Sequence, residues 1–149
     1  MPTQEMNLNY RATAYNLNNQ SEVGEVIEDG WACKLHDLPH LFYVDWYAER
    51  EDKLIAWIEF KQYRQKSFDR EHVWMNVNRK YKTLSGLSSV APAFYFVRFD
   101  DGVLKYINVK NVGQYEIIEA GEYNRWGPGK HDLEPVYNIP IAEMKDFDF

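Results

Sequence analysis

The chain has 149 residues, 45% of them hydrophobic and 16% aromatic, which excludes a disordered polypeptide and suffices for a two- or three-layer core in one domain, residues 1–149. No apolar run reaches the ~18 residues of a membrane span, and "MPTQEMNLNYR" has neither the basic nor the apolar region of a signal peptide, so a cytoplasmic protein without a membrane partner is expected. The net charge of −6 argues against indiscriminate nucleic-acid binding, and a lone cysteine, Cys33, excludes an internal disulfide or a cysteine-rich zinc site and reads as a small buried side chain.

The first segment is polar through "NLNNQS", after which Ser21 can cap a short helix over "EVGEVIED" that Gly30 ends. "WACKL" from Trp31 starts a strand, and "HDLPH" reads as a proline turn. His36 and His40 flank Asp37 there, but a proline intervenes and no third ligand is near, so a surface turn is expected and not a metal site.

Two strands follow, Phe42–Glu49 and Leu54–Lys61. In the first, Phe42, Val44, Trp46 and Ala48 share a face opposite Tyr43, Asp45, Tyr47 and Glu49. In the second, Leu54, Ala56, Ile58 and Phe60 are wholly apolar, while Ile55, Trp57, Glu59 and Lys61 turn polar toward the end. Next, Ser67 or Asp69 can cap a helix to about Leu84, with Val73, Val77, Tyr81 and Leu84 on one face and Gly86 and Pro92 ending it. "AFYFVRF" suits a strand covered on both faces, Asp101-Gly102 a hairpin turn, and "VLKYINV" the returning strand. "YEIIEA" and "VYNIPIAEM" suggest edge elements around the Gly/Pro loop "NRWGPGKHD". The expected class is α/β, an α+β mixed sheet flanked by helices.

The charges inside the two strands demand an explanation. If Glu51, Asp52 and Lys53 form a three-residue loop, Arg50 opposes Leu54 and Asp45 falls opposite Glu59, with Cβ atoms ~4.5–5.5 Å apart. A two-residue loop would turn the two carboxylates to different faces and misalign the apolar ones. Adjacent carboxylates repel unless a positive charge joins them, and a divalent metal does so. Hard oxygen ligands suit Mg2+, which takes one or two protein carboxylates, with Mn2+ as a substitute. Lys61, two residues past Glu59 on the same face, is placed to orient or deprotonate an attacking water or to stabilise a phosphoryl oxygen. This inventory suits metal-assisted hydrolysis of a phosphodiester. The plainer alternative is an ion-paired, half-exposed strand face.

With "YVDWY" carrying Asp45, "WIEFK" carrying Glu59 and Lys61, and a helix followed by "AFYFVRF", the chain resembles the PD-(D/E)XK nuclease superfamily, whose restriction endonuclease-like fold is shared by small phage nucleases. The resemblance covers roughly Trp31 to Val109. It implies a mixed sheet flanked by helices, Asp45 and Glu59 as ligands of Mg2+, and Lys61 as the residue assisting the attacking water. Val44 stands where many members have proline. Many members add an acid from the first helix, for which Glu25 is the central candidate and Glu22 and Glu28 the alternatives. Many also carry a glutamine on the following helix; here Gln62 and Gln65 precede it, and His72 and Asn76 lie within it.

Between Lys61 and Lys82 seven Lys/Arg stand against two acids, a segment of +5 that leaves −11 for the rest. Arg70, Arg79, Lys80 and Lys82 could steer a nucleic-acid backbone past the metal, or form only a solvated helix face. In "NRWGPGKHD", Arg125, Trp126, Lys130 and His131 suit stacking on an unpaired base, although packing of Trp126 on the domain is the simpler expectation. The terminal "KDFDF" with Phe149 reads as a frayed end before a docking tail. The leading reading is therefore a Mg2+-dependent nuclease with DNA as partner, and as a homodimer if it cuts both strands symmetrically. The alternative is a catalytically inactive nuclease-fold protein that binds another protein through its acidic surface, as an inhibitor or phage accessory factor.

Overall fold

The computed structural model describes residues 8–39, 44–120 and 133–147, with side chains from residue 19 onward. His40, Phe42, Tyr43, the "NRWGPGKHD" loop and Phe149 lie outside the described residues. No helix among those described is long and apolar enough to cross a membrane.

The first helix is longer than its sequence signals suggest: α1 runs from Leu8 to Trp31 and passes through Ser21. Val23 and Ile27, four residues apart, are its buried stripe. Its end is set by Ala32, not Gly30. Ala32 has φ 50, in the left-handed region, and the Cys33 N–H reaches the Glu28 carbonyl at 3.2 Å, the Schellman pattern. Gly30 serves close packing instead, since a Cβ there would lie 2.6 Å from Cζ of Phe147.

Strands β1 (Lys34–Asp37), β2 (Trp46–Arg50) and β3 (Lys53–Gln62) form an antiparallel meander, so His36 lies in a strand, stacked on Tyr47 at 4.7 Å, where a turn was expected. The β2–β3 connection also differs from expectation. Arg50 pairs with Lys53 across a two-residue turn, Glu51-Asp52, with φ of 52 and 62. These left-handed angles belong to the type I′ turn that matches strand twist. A bulge follows, because Glu49 opposes Leu54 while Ala48 opposes Ala56. The extra residue, Ile55, restores the register that the short turn had shifted, and Trp46 pairs with Ile58. The ladder ends there: Asp45 lies just before β2, outside the strand in which it was expected, and Val44 is buried on the small-sheet side, not with Trp46 and Ala48 as the alternation predicts.

The segment after β3 is not the long helix that its apolar spacing suggests. It contains a short 3-10 turn (Ser67–Asp69), then β4 (His72–Asn76), a π-type turn (Val77–Tyr81) and only a short α2 (Lys82–Leu87). In β4, Val73 and Met75 are buried and their neighbours half-buried, a period of two that outweighs the helical spacing. The four cations expected on one helix face are thereby separated: Arg70 precedes β4, Arg79 and Lys80 lie in the π-type turn, and Lys82 opens α2.

The chain then adds β5 (Ala93–Arg98), β6 (Leu104–Asn108), β7 (Ile117–Ala120), β8 (Glu134–Pro140) and β9 (Lys145–Asp146). The larger sheet has order β1-β2-β3-β5-β6-β9, with β3 and β5 parallel. The smaller, antiparallel one has order β4-β8-β7, so the segments expected at the edge include its central strand. As expected, β5 is covered on both faces. Phe96 joins Ala56, Ile58, Trp46, Val23 and Ile27 under α1, while Tyr95 and Val97 join Val73, Met75, Leu84 and Ile139 on the other side. The result is a layer of helix, the large mixed sheet, and the small sheet with α2. Half-buried Cys33 packs at the helix side, its thiol pKa raised chiefly by burial.

Candidate active site at the end of β3

The apolar alternation of β3 puts Ala56 and Ile58 under α1, which forces Trp57, Glu59 and Lys61 toward the small sheet. Strand β3 also outruns β2: its pairing with β2 ends at Ile58, while its pairing with β5 continues through Gln62. The Phe60 N–H, past the end of that ladder, donates to Oδ2 of Asp45 at 2.7 Å. Asp45 is therefore fixed beside Glu59 by the backbone of the very strand that carries Glu59.

Glu59 is the one buried charged side chain among the described residues, 7% exposed. It stands level with Tyr95 of β5 and beneath β4 and the π-type turn. Lys80 Nζ, from that turn, lies 2.6 Å from Oε2. Oε1 is buried and has no hydrogen-bond partner among the described residues. Burial is the main cause that lifts the Glu59 carboxyl to about 8; the neighbouring Asp45 adds to the rise and Lys80 opposes it. The Asp45 and Glu59 side chains are near enough to hydrogen-bond when one is protonated.

Local structure aims these groups. The π-type turn begins at Asn76, whose side chain accepts the Arg79 N–H at 2.7 Å, and one wide turn later Lys80 points down at Glu59. Tyr95 donates its hydroxyl to the Trp74 carbonyl at 3.0 Å and so ties the large sheet to β4 behind the carboxylates. Lys61 is exposed, with Nζ 5.8 Å from the Tyr63 ring centroid. A cavity of about 250 Å³ holds Glu59, Lys61, Asn76, Lys80 and Tyr95. It adjoins a larger groove of about 970 Å³ through the shared residues Lys61, Trp74 and Asn76.

The acids of α1 do not join this pair. Glu22 meets Arg98 at 3.2 Å, Glu28 accepts the Leu35 N–H at 3.0 Å, and Glu25 is exposed on the face opposite Val23 and Ile27. Among the described residues no three His, Cys, Asp or Glu side chains gather as a metal site would require of a three-residue cluster. Of the remaining polar candidates, Gln62 ends β3 and donates to the Tyr63 carbonyl at 3.0 Å, and His72 and Asn76 bound β4.

The family model described as "Phage putative PDDEXK endonuclease" matches residues 8–147. The chain belongs to this family. No curated protein and no solved structure matches it. For a PDDEXK family member, the mixed sheet and flanking helices are the fold that the motif resemblance implied. Lys80, Tyr95 and Trp74 are the site residues that the sequence reading did not single out as such. Only Lys80 had a signal, its positive charge, which pointed to a cation steering a nucleic-acid backbone or to a solvated helix face, not to a partner of Glu59.

Proposed function

We propose that the protein is a Mg2+-dependent deoxyribonuclease, with Mn2+ as a substitute ion, in which Asp45 and Glu59 hold the metal and Lys61 serves the attacking water. The observation that carries this reading is the buried Glu59 carboxylate, one oxygen of which has no hydrogen-bond partner among the described residues, set beside Asp45 at the end of β3. The donor set fits the ion: two hard carboxylates, one of whose oxygens has no hydrogen-bond partner among the described residues, suit a metal that keeps most of its own water. When bound, the ion supplies positive charge that stabilises the developing charge on the scissile phosphate. Asp45 keeps its orientation through the Phe60 N–H. Lys61, exposed at the cavity mouth, orients or deprotonates the water or neutralises a phosphoryl oxygen. Lys80 contacts Oε2 of Glu59 and favours its ionised form, the form that would hold the ion.

A second reading, an inactive nuclease-fold protein that binds a protein partner through its acidic surface, draws on the same Lys80 contact, which already neutralises Oε2. One assay separates the two. Plasmid, linear duplex, single-stranded and branched DNA are incubated with wild type, Glu59→Gln and Lys61→Ala in Mg2+ or Mn2+. The nuclease reading expects cutting by wild type and a loss of roughly 10²-fold or more in each variant. It fails if wild type cuts nothing with either ion, or if both variants cut as wild type does.

A further inference from the structure

The cations around the groove are not equivalent. Arg79 and Lys80, which line the smaller cavity, pair with Glu134 and Glu59, whereas Lys61, Arg64 and Arg70 line the groove itself. Arg70 pairs with no acid among the described residues, and yet it is held at three points. Its guanidinium packs over two rings, 4.2 Å from the Tyr63 centroid and 4.6 Å from that of Trp74. Its Nε donates to the His72 carbonyl at 2.6 Å. The rings themselves are locked: the Trp74 N–H donates to the Tyr63 hydroxyl at 3.1 Å, and the Trp74 indole N–H to Asn138 at 3.1 Å. None of the hydrogen bonds among the described residues involves the terminal nitrogens of Arg70, and the side chain lines the groove.

A guanidinium fixed by its plane and by Nε, with its outer edge open, is a fork already set for two oxygens of one phosphate. Little rotamer entropy remains to be lost when such a ligand binds. Its place relative to the chemistry is also defined. Lys61 Nζ lies 5.8 Å from the same Tyr63 ring, so the two cations flank one aromatic residue and line one groove. We infer that Arg70 is a positioning residue that grips a phosphodiester of the bound strand adjacent to the one presented to Glu59 and Lys61, and so fixes which bond reaches the carboxylates. This rests on the nuclease reading and adds the groove contact that sets strand register.

The test measures binding of labelled oligonucleotides to the full chain without divalent ion, across a salt series, and cleavage in Mg2+. Losing one charge-assisted bidentate contact should weaken binding by about tenfold or more in Arg70→Gln. The slope of log K against log salt should fall by about 0.7 to 0.9. Arg70→Lys should recover the slope but not the affinity, because an ammonium lacks the fork. Substrates with one neutral methylphosphonate linkage, moved along the strand, locate the contact. Wild type should lose affinity at a linkage beside the cleaved one, and Arg70→Gln should lose nothing further there. If Arg70→Gln binds with the wild-type slope, or if wild type shows no sensitive linkage beside the cut, Arg70 is only a staple between β3 and β4. Should Arg70→Gln fail to fold, the wild-type linkage scan decides alone. Wild type that neither binds nor cuts DNA overturns the nuclease reading itself, whereas wild type that cuts while Arg70→Gln keeps its slope overturns this inference only.

Discussion

Glu59→Gln should change how the metal-free protein responds to pH in a way no surface acid could. Burial pushes the Glu59 carboxyl from its ordinary value of 4.5, kept in the unfolded chain, up to about 8 in the fold. A folded-state value above the unfolded one means that the native protein holds a proton the unfolded chain has released. That contribution to stability is complete below pH 4.5 and is lost as pH rises to about 8. At 1.36 kcal/mol per pH unit the whole effect is on the order of 5 kcal/mol, of which about 2 kcal/mol falls between pH 6 and 8. For a chain of this size that is a drop in Tm of about 4–8 °C. Glutamine keeps the shape and still accepts from Lys80, but it cannot ionise. Thermal unfolding in EDTA from pH 5 to 9 should therefore show wild type losing stability with pH relative to Glu59→Gln, with the variant the more stable above pH 8. Subtracting the two profiles removes the contribution of every group that both proteins share. Parallel profiles would refute the reasoning, since they would mean that Glu59 is ionised throughout and its burial costs nothing.

Lys80→Met removes the charge that holds the Glu59 pKa down, so the wild-type loss of Tm should shift to higher pH, and so should the pH at which Mg2+ first raises Tm; an unchanged onset would count against the Lys80–Glu59 pair. Tyr95→Phe leaves the Trp74 carbonyl without its 3.0 Å donor and should cost about 1–3 kcal/mol in urea unfolding. Gly30→Ala drives a methyl into Phe147 at 2.6 Å and should cost about 1–3 kcal/mol by the same measurement. Ala32→Gly relieves a left-handed residue at the end of α1 and should add about 0.5–1 kcal/mol.

Why the sequence revealed the carboxylate pair but not its surroundings follows from the range over which each signal acts. The pairing of Asp45 with Glu59 was inferred from a three-residue loop that does not exist. Two departures cancel: the turn is one residue shorter, and the bulge at Ile55 adds one back. Neither was legible, because Glu51 and Asp52 carry no glycine to advertise their left-handed angles. What was legible is the constraint both obey, that Trp46 and Ala48 must meet Ala56 and Ile58 on the face under α1. Whatever the turn does, that burial sets the parity of Glu59, and Asp45, just before β2, is brought beside it by the Phe60 N–H. The segment from Ser67 to Leu87 lacked any such local constraint. Val73, Val77, Tyr81 and Leu84 fit a helix, while Val73-Trp74-Met75 also fits a strand, and the choice depends on β8, more than sixty residues away in sequence, which pairs Val73 with Ile139 and Met75 with Tyr137. Once β4 forms, the π-type turn follows it and carries Lys80 over Glu59, and Arg70 is drawn between β3 and β4 onto Tyr63 and Trp74. Glu59 thus belongs to local alternation, which a single strand displays. The cations that attend the carboxylates belong to strand pairing between distant segments, which no window of the sequence contains.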